Sequence, residues 1–390
     1  VWNWALDARR KAYARRGETL TSVDLSRMLT RIKRSKTRGW LAEVPSSCLQ
    51  QKLRDLDAAY RNAFAGRARF PRFKSRRGVQ RIRVEFDQRH AGKVRAWLAG
   101  RMVLPGLGVV KLRGRALSGP MPKLVTVSRD MAGRWWASFA VEEVIEVMAP
   151  APHASIGVDV GVAHLAVLST GEGVANPRML SRHLGRLARL HQRLARQCRG
   201  SKRRQRTKVC IARVHARIVD CRREYLHRLS HRLVSENQVI AIEDLNAEGM
   251  GRSAKGTKTC PGNGVRAKAG LNRALKDAAF GELRRQLVYK GEWYGRTVVA
   301  VDRWFASSRR CSACGAHKGE LSLDERRWCC RACGAEHDRD VNAARNLEVE
   351  GLRSILHPED TGGVRASGGE GERHSVPGPV AVSARICPAA

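Results

Sequence analysis

The chain lacks any apolar run that approaches the ~20 residues needed to cross a membrane as a helix, and its aromatic content is only 5%. Acidic residues are also few, because 36 Asp and Glu stand against 74 Lys and Arg, giving a formal net charge of +38. Such a basic excess over a globular chain is typical of nucleic-acid-binding proteins. Since aromatics are scarce, we expect phosphate contacts to supply most of the affinity, with little from base stacking.

A secretory signal is also missing, since no charged segment is followed by an apolar stretch and a cleavage site. The eleven cysteines are an odd number, and four of them stand in Cys-x-x-Cys pairs. This usage favours a reducing compartment and a metal site over a disulfide framework. We therefore expect a cytoplasmic, nucleoid-associated protein, and 390 residues leave room for two or three domains.

The cysteine pairs are Cys311/Cys314 and Cys330/Cys333, separated by 15 residues. Two such pairs predict a four-cysteine tetrahedral zinc site that is closed to substrate. Cys329 is a fifth thiol, but only Cys330 has the two-residue spacing to Cys333. The pattern therefore predicts a structural zinc ribbon, in preference to a catalytic zinc or a redox pair.

Hydrophobic periodicity predicts an α/β multidomain chain. Residues 1–66 have helical spacing, residues 67–150 alternate as short strands of a small OB-like β-barrel, and residues 155–302 combine strands with a helical hairpin at 178–235. The zinc ribbon is expected at 303–336, a last helix at 337–350, and a disordered tail at 351–390, where periodicity is lost.

The helical hairpin is strongly basic, with 18 Lys or Arg and two acids between Arg178 and Arg232. A merely solvated face would carry mixed signs, so this face predicts nucleic-acid contact. The residues chosen for that contact are Arg186, Arg189, Arg193, Arg196, Lys202, Arg203, Arg204 and Arg206.

Two strands carry acids in suggestive positions. In the segment IGVDVG, Asp159 shares its strand face with Gly157 and Gly161, which would let a phosphate and its metal approach. The glycines could equally serve only strand curvature. Glu243 ends the apolar run VIAIE, and a buried carboxylate is usually paired or bound to a metal. Asp244 next to it points to the other face.

A third acid begins the helix after the zinc ribbon. Asp338 is the expected N-cap, while Asp340 shares a helical stripe with Ala343, Ala344 and Leu347. Asp340 is therefore preferred over Asp338. Three acids, two on strands and one on a helix, match the plan of RNase H-like nucleases. Their hard oxygen ligands suit a pair of Mg²⁺ or Mn²⁺ ions, which would activate a water and stabilise the leaving oxygen of a phosphodiester.

The chain also resembles the transposon-encoded TnpB (OrfB) family, relatives of the type V CRISPR effector nucleases. The resemblance covers Trp2 to Leu347 and is carried by WNWAL, VPSSCLQQKLRDLDAAY, FPRFKSRRG, GVDVGVAHLAVLSTG, VIAIEDLNAEGM, RQLVYKGEWYGR, DRWFASSRRCSACG and HDRDVNAARNL. It implies an RNA-guided DNA endonuclease with a RuvC-like core.

By this resemblance, Asp159, Glu243 and Asp340 fall on the catalytic, magnesium-binding positions, and the four paired cysteines on the zinc ligands. The helical segment would be a recognition lobe, and the β-rich segment a wedge barrel that grips the guide RNA. The guide would derive from the transposon end, the target would be double-stranded DNA, and base pairing would select the sequence.

Two other functions remain to be weighed. Family members usually carry a further segment before the WNWAL-like motif, including the first barrel strand, so one alternative is an RNA-guided DNA-binding regulator of transposition that has lost cleavage. A self-sufficient single-strand transposase would need a His-x-His metal pair, and none occurs among the twelve histidines. An RNA-guided nuclease is the leading hypothesis.

Overall fold

A computed structural model describes residues 1–75, 78–85, 101–104, 108–113, 124–141, 148–257, 259–322, 324–357, 366–367 and 380–387. The predicted β-rich segment 67–150 includes the run KVRAWLAG, at 93–100, which lies outside these residues. Within them, no helix combines the length and the apolar character that crossing a membrane requires. The described part of the chain is a mixed α/β fold.

The helices are α1 (Trp2–Arg16), α2 (Ser22–Lys33), α3 (Ser46–Phe64), α4 (Leu184–Ala195), α5 (Lys202–Glu236), α6 (Ala247–Met250), α7 (Val265–Ala278), α8 (Phe280–Tyr294) and α9 (Arg339–Leu356). The strands are β1 (Gln80–Glu85), β2 (Arg101–Leu104), β3 (Gly108–Arg113), β4 (Leu124–Arg129), β5 (Trp135–Val141), β6 (His153–Val160), β7 (His164–Leu168), β8 (Gly173–Ala175), β9 (Asn237–Glu243), β10 (Thr297–Val301), β11 (Arg327–Cys329), β12 (Glu336–Asp338), β13 (Ala366–Ser367) and β14 (Val380–Cys387).

The chain divides into two compact units. The first consists of Val1–Glu143, Arg199–Arg213 and Val376–Ala390, and the second of Val144–Cys198 and Val214–Ser375. In the first unit, α1, α2 and α3 enclose a core rich in leucine, which includes Leu6, Leu25, Leu29, Leu49, Leu53 and Leu56. Helix α2 begins with a capping box, in which Thr21 and Asp24 each bind the other's backbone N–H.

The strands of the first unit form an antiparallel six-stranded sheet in the order β1-β4-β5-β14-β3-β2. Strand β14 comes from the part of the chain expected to be a disordered tail, and α9 also continues to Leu356, beyond the expected end at 350. The expectation of disorder was therefore wrong for these residues. The flanking Gly- and Pro-rich composition concealed an alternating segment that is stabilised by partners far away in sequence.

The second unit is built on a mixed sheet in the order β13-β10-β9-β6-β7-β8. Strands β6, β9 and β10 are parallel neighbours, while β7 and β8 continue the sheet antiparallel. Helix α9 packs on β6 and β9. The strands are apolar runs because residues such as Val158, Ile240 and Ile242 are buried against neighbouring helices.

Candidate active site and cysteine cluster

The three acids singled out from the sequence line one cavity of about 520 Å³ in the second unit. Asp159 lies near the end of β6, and Glu243 is the last residue of β9, its parallel neighbour. Asp340 is in the first turn of α9, the helix that packs on both strands. All three side chains are partly buried. The fold therefore brings together residues that are up to 181 positions apart in sequence, counted from Asp159 to Asp340.

Close contact between α9 and the sheet sets this arrangement. A Cβ added at Gly157 would stand 1.8 Å from the carbonyl oxygen of Ala344 and 2.8 Å from the amide nitrogen of Glu348. Likewise, a Cβ at Gly351 would stand 2.5 Å from the Cβ of Ala241. Gly157 therefore admits the helix backbone, so the expectation that it leaves room for a ligand was wrong.

The structure separates the two acids of the Asp-Arg-Asp motif. Asp338 is exposed and caps α9, where its side chain accepts hydrogen bonds from the amides of Asp340 and Val341 at 3.0 and 3.1 Å. Asp340 instead lines the cavity and pairs with Arg326, whose Nη1 lies 3.2 Å from its Oδ2. Asp338 therefore shapes the helix start, and Asp340 faces the cavity.

Asp244 has a different environment from Glu243. Its two carboxylate oxygens accept hydrogen bonds from Arg284 and Arg303. These bonds hold the pKa of Asp244 below its usual range, although its partial burial acts in the opposite direction. The adjacent acids thus do different work, because Asp244 is neutralised by arginines while Glu243 faces the cavity.

The environment of the cavity raises the pKa of Asp159 and of Glu243. Burial, followed by the negative charges of Asp340 and Glu243, raises the pKa of Asp159 to about 7, although Arg339 acts in the opposite direction. Burial and the charge of Asp244 also raise the pKa of Glu243. Three carboxylates that repel one another in one cavity form a set that a cation would stabilise.

The donor chemistry of these acids fits hard divalent ions. Each contributes only oxygen, which Mg²⁺ and Mn²⁺ prefer to nitrogen and sulfur ligands. Among the described residues, the four paired cysteines are the group whose ligand atoms all lie within 4.8 Å of one another. The three carboxylates are spaced more widely than these thiols. An ion between the acids would therefore draw them closer or use water as further ligands.

Four thiols form that tight group: Cys311, Cys314, Cys330 and Cys333. Each pair belongs to a turn in which a glycine amide donates to the first cysteine carbonyl, Gly315 to Cys311 at 2.9 Å and Gly334 to Cys330 at 2.8 Å. Both glycines have a positive φ, 79° and 73°, which glycine adopts without strain. Cys329 lies outside the group. This geometry fits a tetrahedral four-cysteine site of the zinc type.

Sequence reasoning missed His337, which was considered only as part of a helix start. Its ring is buried, with Nε2 3.0 Å from the Sγ of Cys311, and the Trp328 ring packs on it at a centroid distance of 4.7 Å. A ring N–H can donate to a thiolate and stabilise its negative charge. The signal in the sequence was a histidine directly before a helix cap, which alone is too common to interpret.

Two asparagines of α9 were also missed. The Nδ2 atoms of Asn342 and Asn346 donate to the carbonyl of Arg310 at 2.7 and 2.6 Å, and Asn346 also donates to that of Ser307 at 2.7 Å. The Oδ1 of Asn342 accepts from the amide of Ser312 at 2.9 Å. Both side chains are buried. They attach the segment that enters the cysteine cluster to the helix that carries Asp340.

The basic residues chosen from the hairpin lie on α4, on α5 and at their adjoining ends. Arg186, Arg189, Arg193 and Arg196 are exposed in the second unit. In the first unit, Lys202, Arg203 and Arg206 are exposed, and Arg204 is partly buried. Of the two aromatics before the cysteine cluster, Trp304 is 86% exposed, whereas Phe305 packs in the core with Val301 and Leu347.

Two family models and one solved structure match parts of the chain. The family model described as "Cas12f1-like, TNB domain" matches residues 280–347, and that described as "Probable transposase", OrfB_IS605, matches residues 138–254. A solved Cas12f1-sgRNA-target DNA complex is 13% identical with a TM-score of 0.47, over 89% of this chain and 79% of that one.

Two relatives cover most of the chain. An RNA-guided DNA endonuclease of Streptomyces pristinaespiralis is 41% identical over 90% of this chain and 83% of its own length. The RNA-guided DNA endonuclease InsQ of Escherichia coli K12 is 35% identical over 90% of this chain and 86% of its own. With this similarity along nearly its whole length, the chain belongs to the TnpB (OrfB) family of RNA-guided DNA endonucleases.

Proposed function

We propose that this chain is an RNA-guided, divalent-metal-dependent DNA endonuclease of a transposable element, with Asp159, Glu243 and Asp340 as its catalytic acids. The observation that carries the proposal is that the three carboxylates line one cavity, where burial, followed by the charges of Asp340 and Glu243, raises the pKa of Asp159 to about 7. Family membership supports the same activity. Two acids on parallel neighbouring strands and one on the helix that covers them support an RNase H-like (RuvC) core.

The residues of the cavity have separate tasks. Asp159, Glu243 and Asp340 would hold two ions of Mg²⁺ or Mn²⁺, which supply a nucleophile from water and charge stabilisation for the leaving oxygen. Arg326 orients Asp340 through their ion pair. Ser307 and Ser308 line the same cavity and offer hydroxyl groups to a phosphate.

The proposed partners are a guide RNA from the transposon end and a double-stranded DNA target. The net charge of +38 would attract both, because phosphate contacts release counterions from nucleic acid. The exposed arginines of α4 and the exposed basic residues at the start of α5 offer such contacts. Removing one of these charges should weaken binding of all sequences alike and lower its salt dependence.

Plasmid cleavage tests the proposed activity. The chain is co-expressed with the RNA that flanks its gene in the transposon and is incubated with a supercoiled plasmid library. Linear product is expected only when guide, matching target and Mg²⁺ are all present, and a non-matching guide is the control. Intact plasmid in the presence of RNA-bound, folded protein would support the alternative, a DNA-binding regulator without cleavage.

The metal requirement should depend on pH. Asp159 keeps a proton up to about pH 7, which a bound cation must displace. The Mg²⁺ concentration that gives half-maximal cleavage is therefore expected to fall about fivefold between pH 6 and pH 7, about tenfold between pH 6 and pH 8, and to level off above pH 8. Cleavage rates measured over a Mg²⁺ series at each pH provide the check. A half-maximal concentration that stays constant from pH 6 to pH 8 contradicts the role of Asp159.

We also propose that Zn²⁺ occupies the cysteine cluster and has a structural role. Cys330→Ser is expected to lower bound zinc from about one ion per chain to near zero, because tetrahedral sites need all four ligands. Cleavage should fall as well, since Asn342 and Asn346 connect the cluster to the helix of Asp340. Zinc content by atomic absorption provides the measurement, and Cys329→Ser is the matched control, which should keep its zinc. Equal zinc loss in both variants would contradict the assignment of Cys330.

A further inference from the structure

The helical part of the first unit contains a second cavity that the nuclease chemistry does not use. Its volume is about 820 Å³, and α1, α3 and the segment after α3 contribute its aromatic residues. We call it the aromatic cavity, and its rings are Tyr13, Tyr60, Phe64 and Phe70. This volume lies within the range of small-molecule binding pockets, about 300–1,000 Å³, and leaves room for a base and its sugar.

The aromatic rings are packed together yet open to solvent. Phe64 stacks on Tyr60 with ring centroids 6.1 Å apart and meets the edge of Phe70 at 5.4 Å. In spite of these contacts, Phe64 is 74% exposed, Phe70 55% and Tyr13 68%. Three large exposed rings in one place form an apolar patch of the kind that marks an interaction site.

The charges around the aromatic cavity favour an anionic occupant. Its two acids are already neutralised, since Asp57 pairs with Arg9 and Glu18 with Arg16. The guanidinium of Arg9 also lies over the Tyr60 ring, 5.1 Å from its centroid. Of its other cations, Arg10 donates a hydrogen bond to the carbonyl of Pro71, and the exposed Arg61 forms no ion pair within the described part of the chain.

Arg61 also lines an adjoining smaller cavity of about 340 Å³, together with Asn62 and Arg67. Arg67 is exposed and, like Arg61, has no ion-pair partner among the residues that the structure describes. A face of exposed rings thus lies next to two available guanidinium groups and an amide. This pairing matches a nucleotide, in which a flat base is joined to a phosphate.

We infer that the aromatic cavity and the adjoining basic cavity together bind an unpaired nucleotide of a single-stranded segment. The base stacks on Phe64 and its neighbours, and the phosphate contacts Arg61 and Arg67. This site lies in the helical part of the first unit, whereas the three acids lie in the second. It requires single-strand binding and does not require cleavage, so it goes beyond the proposed nuclease function.

Oligonucleotide binding by the full-length chain tests the site. The probes are fluorescein-labelled oligothymidine and oligouridine of about eight nucleotides, and an abasic DNA of the same length. Phe64→Ala is expected to weaken binding of at least one base-bearing probe about tenfold, and of the abasic probe less than twofold. Because Phe64 is exposed, the variant should keep its melting temperature. Phe64→Trp should restore the affinity.

The controls separate stacking from general charge. Trp40→Ala removes another exposed ring, 60% accessible and outside both cavities, and should leave binding unchanged. Arg61→Ala should weaken binding of all three probes. It should also lower the number of counterions released on binding, measured from the salt dependence of the affinity, by about one. If Phe64→Ala loses affinity only for oligouridine, the site is assigned to RNA. If it loses affinity only for oligothymidine, the site is assigned to DNA.

The inference is overturned if Phe64→Ala binds both base-bearing probes as tightly as the unaltered chain does. It is also overturned if Phe64→Ala loses as much affinity for the abasic probe as for the base-bearing probes. Cleavage is not measured in this assay. A chain that does not cut plasmids can therefore still show nucleotide binding that depends on Phe64, and a chain that cuts plasmids can lack it.

Discussion

Asp159→Asn is expected to lower cleavage on the order of 1,000-fold while leaving the chain folded and able to bind RNA. Asparagine has nearly the shape of aspartate but no charge, so it removes a metal ligand without creating a void. In the folded protein, burial and the charges of Asp340 and Glu243 disfavour the ionised form of the Asp159 side chain. Asparagine avoids this cost because it carries no charge. Single-turnover cleavage with saturating guide and Mg²⁺ provides the measurement.

The same variant should change how stability depends on pH. The folded-state pKa of Asp159 is about 7, above the ordinary value of 3.8. Its contribution to stability is therefore fully present below about pH 4 and is lost as the pH rises through 7. In Mg²⁺-free buffer that retains zinc, Asp159→Asn should melt a few degrees above the unaltered chain at pH 8. At pH 5 the difference should be smaller.

A pair of matched variants tests which acid of the Asp-Arg-Asp motif acts with Asp159. Asp340→Asn should lose cleavage as Asp159→Asn does. Asp338→Asn should stay within about threefold of the unaltered chain, because asparagine is as good an N-cap as aspartate. The opposite ranking would transfer the catalytic role to Asp338 and contradict the arrangement of the cavity.

Gly157→Ala is expected to disrupt the packing of α9 on β6 and to lower both stability and cleavage. Its Cβ would stand 1.8 Å from the carbonyl oxygen of Ala344, and this atom belongs to a helix backbone that cannot move alone. Helix α9 would have to shift by more than about 1 Å, and overpacking of a core commonly costs about 1–3 kcal/mol, with more expected here. Misplacing Asp340 by that distance would cost about 100-fold or more in rate.

Thermal unfolding and cleavage measure this effect together. Gly281→Ala, in α8, is the matched control, because a Cβ there meets nothing within 4 Å. Alanine favours helix over glycine by up to about 1 kcal/mol, so this control should be as stable as the unaltered chain or slightly more stable. A normal melting temperature for Gly157→Ala would show that α9 does not rest on β6 as described.

The three acids and four cysteines could be singled out from the sequence because each stands in a recognisable local pattern, and their catalytic and zinc-binding roles stay predictions. The Cys-x-x-Cys pairs form their turns without help from distant residues, and the stripe of Asp340, Ala343 and Ala344 follows from helix geometry. The role of Gly157 could not be found in this way. A glycine that is needed for strand curvature and one that admits a helix backbone look the same until the helix is in place.

The connections between elements were missed for a related reason. Asn342 and Asn346 are four residues apart, which places them on one face of α9, but their partners lie 30 to 39 residues away in sequence. The buried ring of His337 likewise depends on a cysteine 26 residues earlier. Hydrogen bonds between distant segments leave no periodic pattern, so only the fold reveals them.

Strand β14 has a consequence for the order in which the chain can fold. It pairs with β5 on one side and β3 on the other, so the six-stranded order exists only after residues 380–387 have been made. During synthesis, β1, β4 and β5 can pair early, and so can β2 and β3. Each group has an unpaired strand edge until β14 has been made. The ribosome meanwhile produces the acids, the cysteine cluster and α9. The second unit can thus be complete while the sheet of the first unit is still in two pieces, and the strand that joins them is the last of that sheet to be made.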